Sequence, residues 1–487
     1  MSSYKKTAVI VTPNELINDW LESVVSVVGK DCCFFVVQES NNVKKTDAIF
    51  LKLNFKIFGA LKKENINTTV FSVNLIPNNE LEVALKNYQT VLNLTSLELS
   101  IKKNTNYIRF LISGRPYSLY EVISNTLTSY KKIELAIQSN LEDFKTSTIR
   151  LDPFSITKNV ELVLASFLRL LKSKNTYSSE GLLKNKKTLR GISAKDYFKY
   201  AFRFLKKLKH YFFYNEQWVL GYSFNPKAIG VDIKNDVKII PPKDRFWADP
   251  VVVEDNGRYY VFIEELIYKN GIAHLSVFEL KENGTYTEPT IILKKPYHLS
   301  YPFIFKEQEK YYMIPETAHN SDIQIYEAVS FPFKWEFKQN LMENVKASDT
   351  TLLKKNDKWW LFTSIKHFNK GTYDNDLSLF YADSLFGSRW KLHKKEPVKQ
   401  NICNARQGGP FFKIDNDYYR ASQNCESNYG YGFNLSKVQT LSEIDFIEEE
   451  IYCFTAENFK NILGVHTYNH INGKLRMYDI LTRTFKY

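Results

Sequence analysis

Between residue 246 and the end of the chain, one pattern occurs five times: a small residue, an apolar strand, a polar turn and a second strand, usually with an aromatic doublet. The copies read ADPVVVEDNGRYYVFIEE from Ala248, SYPFIFKEQEKYYMIPET from Ser300, SDTTLLKKNDKWWLFTS from Ser348, GGPFFKIDNDYYRASQN from Gly408 and GVHTYNHINGKLRMYDI from Gly464. Their starts lie 52, 48, 60 and 56 residues apart. The turns hold Asn256-Gly257, Asn356-Asp357, Asn416-Asp417 and Asn472-Gly473, residues that tolerate the positive φ angles of tight hairpins. Further strands fit Ala273–Leu280, Ile323–Ala328 and Leu377–Ala382, and Trp335 and Trp390 mark fourth strands. Five four-stranded units predict a five-bladed β-propeller. Each blade leaves a face that only a neighbour can bury, so the ring must close, and Trp218–Phe224 is positioned to complete the last blade.

The first strand of each propeller blade lines the central channel, and its starting residues meet at one mouth, a natural place for a ligand. The equivalent positions are Asp249, Tyr301, Asp349, Gly409 and Val465, with His466 beside the last. Two carboxylates and a histidine from different blades suit sugar chemistry: one carboxylate activates a hydroxyl, the other tunes it or stabilises positive charge on the sugar. The competing reading is that Asp249 and Asp349 cap strands. The second strands end in Glu264 and Glu265, in Glu316, and in Arg420 and Gln423. Glu316 is a candidate acid, base or hydroxyl binder, or else a partner of nearby backbone. Trp247 and Tyr301 are candidate sugar contacts. Arg245, Arg406 and Arg420 are candidates for a diphosphate clamp, because guanidinium pairs bidentately with phosphate; an ordinary salt bridge is the alternative for each. Asp374-Asn375-Asp376 and Asp415-Asn416-Asp417 match the Asp-x-Asp pattern that holds a metal on a nucleotide diphosphate, but the second falls in a hairpin turn, where Asn and Asp are favoured for backbone reasons. No cofactor is expected on these signals, and a divalent metal is the weaker alternative.

The first 150 residues read differently. Short Val-, Ile- and Phe-rich runs at Ala8–Thr12, Cys33–Gln38, Asp47–Leu53, Thr69–Val73 and Thr90–Leu94 look like buried parallel strands. Tyr107–Ile112, Ile133–Ile137 and Thr146–Leu151 look like antiparallel ones, and Ser155 caps a helix to Ser173 with a broad apolar face. This is an α/β domain without GxGxxG or GxxxxGK[ST], so neither dinucleotide nor P-loop binding is supported. The order of elements and the Leu92–Leu94 LNL resemble a formyltransferase-type domain over roughly residues 5–175. The window LNLTSLELSIKKNTNYIRF, where that family keeps an Asn-x-His motif, has no His. The resemblance therefore implies a catalytically degenerate domain. The expected organisation is 1–175 for this domain, 176–217 for a basic connector and 218–487 for the propeller.

Within the connector, residues 194–214 form an amphipathic pattern. Phe198, Ala201, Phe204, Leu205, Leu208 and Phe212 share one side, against Lys199, Arg203, Lys206, Lys207 and Lys209. Such a helix either lies on an anionic membrane surface or packs between domains. The whole chain carries 66 Lys+Arg against 53 Asp+Glu, net +13, which attracts anionic partners without choosing one. Nucleic-acid motifs are missing. Five cysteines without a CxxC pair and no secretory signal point to a reducing, cytoplasmic setting, at most peripheral at the inner membrane face.

The segments FWADPVVVEDNGRYYVFIEE, HLSYPFIF, YYMIPET, SDTTLL, LFYADSLFGSRW and ARQGGPFF resemble a propeller family of bacterial surface-glycan loci. That family is similar to the propeller-like domain of plant glucosamine inositolphosphorylceramide transferase and to the five-bladed furanosidase and fructosidase hydrolases. The resemblance implies glycosyl transfer in polysaccharide or glycolipid assembly, from an activated anionic sugar donor to a glycan or lipid-linked acceptor. It places Asp249 at the base or nucleophile position. It leaves the roles of Glu316 and Asp349 open, because Tyr301 stands where the hydrolases keep a second Asp. A furanoside or fructoside hydrolase and a non-catalytic carbohydrate-binding protein are the alternatives.

Overall fold

The computed structural model describes residues 7–11, 18–28, 32–37, 72–75, 78–97, 99–100, 105–128, 132–139, 143–173, 192–368 and 371–486. The expected strand Asp47–Leu53 lies outside them. The chain divides into two compact units, one of residues 1–205 with 367–372, the other of residues 206–366 with 373–487. The division falls inside the helix Ala194–Phe213.

The first unit is one sheet with flanking helices. Its strands run in the order Ser72–Leu75, Cys32–Val36, Thr7–Val11, Thr90–Asn93, Asn106–Ile112, Lys132–Ser139, Asp143–Arg150. The first four pairings are parallel and the last two antiparallel. The helix Ile156–Lys172 begins where Ser155 accepts a bond from the Lys158 N–H at 3.2 Å. It buries Val160, Val163, Leu164 and Phe167 against Phe110, Ile112 and Leu135 of the sheet. At the first half of the helix Ala194–Phe213, Tyr200 Oη donates to the Phe154 carbonyl at 2.7 Å, and the Arg203 guanidinium donates to the carbonyls of Thr126 and Leu127. Arg203 is thereby taken out of the helix's solvent-facing charge.

The second unit is a ring of five sheets. Four are sequential meanders whose innermost strands are Arg245–Asp255, Ser300–Glu307, Ala347–Lys355 and Phe412–Ile414. The fifth is built from both ends of the unit: Tyr468–Ile471 innermost, then Leu475–Phe485, then Tyr214–Phe224 and Val237–Ile239. The pairing of Tyr214–Phe224 with Leu475–Phe485 runs the full length of both strands, from Tyr214 opposite Phe485 to Phe224 opposite Leu475.

Strand alternation explains the aromatic doublets, because successive side chains face opposite sides of a sheet. Tyr259 enters the core shared with the fifth blade and Tyr260 the core shared with the second. Trp359 packs toward the second blade and Trp360 toward the fourth. Phe412, Phe433, Tyr468 and Tyr478 fill the interface of blades four and five. Each of the five interfaces is an apolar core drawn from two neighbours, so no blade is complete alone. Leu220 on the closing strand is fully buried between blades five and one. Leu220→Ala should cost about 2–5 kcal/mol in urea unfolding of the propeller. An unchanged midpoint would contradict closure through that strand.

Candidate functional site

Three blades begin with the same backbone distortion. Asp249, Tyr301 and Asp349 have φ of +48°, +45° and +52°, and Gly409 holds the matching place in the fourth blade at +147°. The strand register shifts at these points, between Ala248 and Val251, Ser300 and Phe303, and Ser348 and Thr351. A bulge of this kind re-aims the side chain, and left-handed backbone at a non-glycine residue costs on the order of 1–3 kcal/mol. The bulge N–H groups are held by carboxylates of the preceding blade. Asp249 N–H donates to Asp479 Oδ2 at 3.1 Å, Tyr301 N–H to Asp249 Oδ2 at 3.1 Å, and Asp349 N–H to Glu316 Oε2 at 3.3 Å.

From these bulges two polar networks are built. In the first, His298 Nε2 lies 3.0 Å from Glu264 Oε1, Glu264 hydrogen-bonds Asp249, and His466 pairs with Asp249 Oδ1 at 3.1 Å and Asp479 Oδ2 at 2.7 Å. The result is a run of acid and base, His298–Glu264–Asp249–His466–Asp479, half-buried at His298 and buried from Glu264 on. Burial pushes the Glu264 carboxyl up to about 7, the Asp249 charge adds to this, and His298 opposes it. Burial alone would depress His466, but the carboxylates on both sides overcome it and raise the imidazole to about 10. Trp218 stacks on that ring at 4.1 Å. Despite its burial, Asp249 is held below the usual carboxylate range by His466, Glu264 and the Tyr301 N–H.

In the second network Ser348 Oγ donates to Glu316 Oε2 at 2.7 Å. Arg406 donates from Nε to Asp349 Oδ2 at 2.6 Å, from one terminal nitrogen to Asp374 Oδ1 at 3.0 Å and from the other to Ser348 Oγ at 2.9 Å. Gln423 Nε2 donates to the same Asp349 oxygen at 2.9 Å, and Tyr301 Oη bonds Thr351 Oγ1 at 2.9 Å. Burial and the neighbouring Asp349 charge raise Glu316 to about 8, with Arg406 working against them. Tyr429, 38% exposed, joins the networks: its ring lies 5.0 Å from the Arg406 guanidinium and 5.3 Å from the His466 ring.

Of the residues singled out in the sequence, Asp249, Glu264, Tyr301, Glu316, Asp349, Arg406, Gln423 and His466 thus fall in these two networks. Arg245, Trp247 and Glu265 do not. Glu265 follows Glu264 in an extended strand and faces the other side, where Arg245, Trp247 Nε1, His274 and Ser276 converge on its carboxylate. Burial disfavours that charge, but the hydrogen bonds prevail and hold Glu265 at about 2. Arg420 is fully buried in a bidentate pair with Glu448 and also donates to the carbonyls of Asn404 and Ala405. Arg245, Arg406 and Arg420, the candidates for a diphosphate clamp, are each paired with carboxylates, as the salt-bridge alternative has it. Of the Asp-x-Asp patterns, Asp374 is bound to Arg406, and Asp415 and Asn416 form the turn before the strand Asp417–Asn424.

Sequence reasoning missed His298, Tyr429 and Asp479. Asp479 had a visible signal, since it falls near the end of the fifth repeated segment as Glu264 and Glu316 do in theirs. His298 and Tyr429 lie between the repeats, where no column marks them. Asp249, His466 and Asp479 each offer a ligand atom within 4.8 Å of the others. A metal there would require a neutral His466, whereas Asp249 beside Nε2 and Asp479 beside Nδ1 favour the imidazolium, so this donor set fits a proton better than a metal.

Residues 232–475, half of the chain, match the family model described as glucosamine inositolphosphorylceramide transferase 1, N-terminal. The chain belongs to this family. Glucosamine inositolphosphorylceramide transferase 1 of Arabidopsis thaliana is 32% identical over 211 residues, covering 42% of this chain and 27% of that protein. The protein of the same description from Oryza sativa subsp. japonica is 28% identical over 234 residues, covering 47% and 31%. The chain thus spans less than a third of the length of these relatives. Among solved structures, the family 117 glycoside hydrolase Zg3597 of Zobellia galactanivorans aligns at TM-score 0.36 and 12% identity, over 54% of this chain and 90% of that one. The catalytic domain of the Coprinopsis cinerea GH62 α-L-arabinofuranosidase aligns at 0.37 and 12%, over 56% and 97%.

The pH dependence follows from the site of this N-terminal family domain. Glu264 and Glu316 have folded pKa values of about 7 and about 8 against an ordinary 4.5, so between those limits the folded state binds more protons. Their contribution to stability therefore falls as pH rises through that window. His466 has the same sign between 6.5 and about 10. Glu316→Gln should flatten the decline in Tm between roughly pH 5 and 8. Identical slopes for the variant and the parent would refute the assignment.

Proposed function

We propose that the propeller mouth binds a sugar unit and serves glycosyl transfer in glycan or glycolipid assembly at the cytoplasmic membrane face, using an activated donor and a lipid-linked or glycan acceptor. The observation that carries this reading is the presence, in one ring of blades, of a half-buried Glu316 carboxyl raised to about 8 and an Asp249 carboxylate held in the charged state. Glu316 then moves the proton at the reacting oxygen, and Asp249 presents fixed negative charge to a sugar that gains positive charge in the transition state. Asp249 is less suited to the base role that the resemblance gave it. Its two oxygens already receive His466 and the Tyr301 N–H, and its proton affinity is low. The names of the relatives support a transferase setting; the donor and acceptor belong to the proposal. For the first unit we propose the formyltransferase-type framework without its chemistry.

A second reading, recognition of a sugar without turnover, is favoured by this same saturation of Asp249 and Asp349. Assays with activated sugar donors and lipid-linked acceptors separate the two. Under the transfer reading Glu316→Gln lowers kcat about 10²–10⁴-fold with little change in sugar affinity. Under the recognition reading neither parent nor variant turns over, and Glu316→Gln changes only the Kd for the sugar. Release of free sugar from furanosides without any donor would instead point to a hydrolase.

A further inference from the structure

The helix Ala194–Phe213 turns its apolar stripe outward. Phe198 is 75% exposed, Phe202 63%, Leu205 63% and Phe212 59%, and Leu208 is exposed between them. Their spacings of three and four residues place them on one side of the helix, a stripe of bulky groups about 20 Å long at 1.5 Å per residue. Lys195, Lys199, Lys206 and Lys209 are all exposed and recur with the same period, which sets them along one border of that stripe. The helix's sole acidic residue, Asp196, is buried and bonded to Ser193 at the helix start. Among the described residues, no helix is long and apolar enough to cross a membrane.

An exposed apolar stripe of this size needs an occupant, and the lysine border selects among them. A second copy of this chain, packed stripe to stripe, would bring two rows of lysines together. A nucleic-acid backbone would satisfy the lysines but leave the Phe and Leu side chains in water. A lipid surface with anionic headgroups satisfies both at once: the apolar side chains enter the acyl boundary and the ammonium groups meet lipid phosphates and carboxylates. We propose that residues 194–213 are an interfacial helix that seats this protein on an anionic bilayer. The attachment is reversible, because one short helix adds both an apolar and an electrostatic part and no span. It stands on the helix alone and does not depend on what the propeller mouth binds.

Co-sedimentation of the full chain with phosphatidylcholine vesicles containing about one-third phosphatidylserine, against vesicles of phosphatidylcholine alone, tests this. The chain should partition onto the anionic vesicles, and binding should weaken as salt rises. Each Lys→Gln among Lys195, Lys199, Lys206 and Lys209 should reduce partitioning up to about fivefold. The double variant Phe202→Asp/Leu205→Asp should abolish it while leaving the Tm unchanged, because both sites are solvent-facing. Lack of binding to anionic vesicles at low salt would overturn the proposal. So would binding that survives Phe202→Asp/Leu205→Asp, or sedimentation velocity showing that the stripe is covered by a second copy.

Discussion

The fold depends on one pairing between the two ends of the propeller unit, Tyr214–Phe224 with Leu475–Phe485. A blade buries neither of its faces by itself, and five inter-blade cores exist only if the ring is closed. Closure also places the first polar network. Asp479 belongs to the last blade and Asp249 to the first, and the Asp249–His466–Asp479 run crosses that seam. The strand that closes the ring supplies Trp218, which lies against the His466 ring. Ring closure and the first network thus share one seam.

At the mouth, burial and charge act against each other. Carboxylates from the first, second, third and fifth blades crowd around Arg406 and His466, which are too few to neutralise them all. Part of the remaining charge is removed by protonating Glu264 and Glu316. This leaves a mouth that holds protons and fixed negative charge rather than free cations. The bulges at Asp249, Tyr301 and Asp349 keep these groups in place, and the N–H bonds to Asp479, Asp249 and Glu316 offset part of the backbone strain.

Much of this was legible in the sequence because a repeat writes each structural position several times. The five copies located the blades, the closing strand and the column through Asp249, Tyr301 and Asp349. The helix capped by Ser155 was legible from its apolar spacing. What a strand pattern does not state is which neighbour a charged side chain will meet. Glu264 and Glu265 are adjacent and chemically alike, yet one joins the mouth and the other locks the first blade. Arg406 and Arg420 looked equally available, and both are consumed by carboxylates distant in sequence, Asp349 and Glu448. His298 and Tyr429 lie outside the repeated columns, so only the folded ring brings them to the site.

The measurement that tests this account most directly is infrared difference spectroscopy of the protein between mildly acidic and mildly alkaline pH, with and without Glu316→Gln. The account requires a protonated-carboxyl C=O band that persists at neutral pH, well above where ordinary carboxyls ionise, and that loses intensity in the Glu316→Gln protein. A parent protein whose carboxyl groups are all ionised by about pH 6 would contradict it, because the mouth would then be an open cluster of carboxylates with no proton to give.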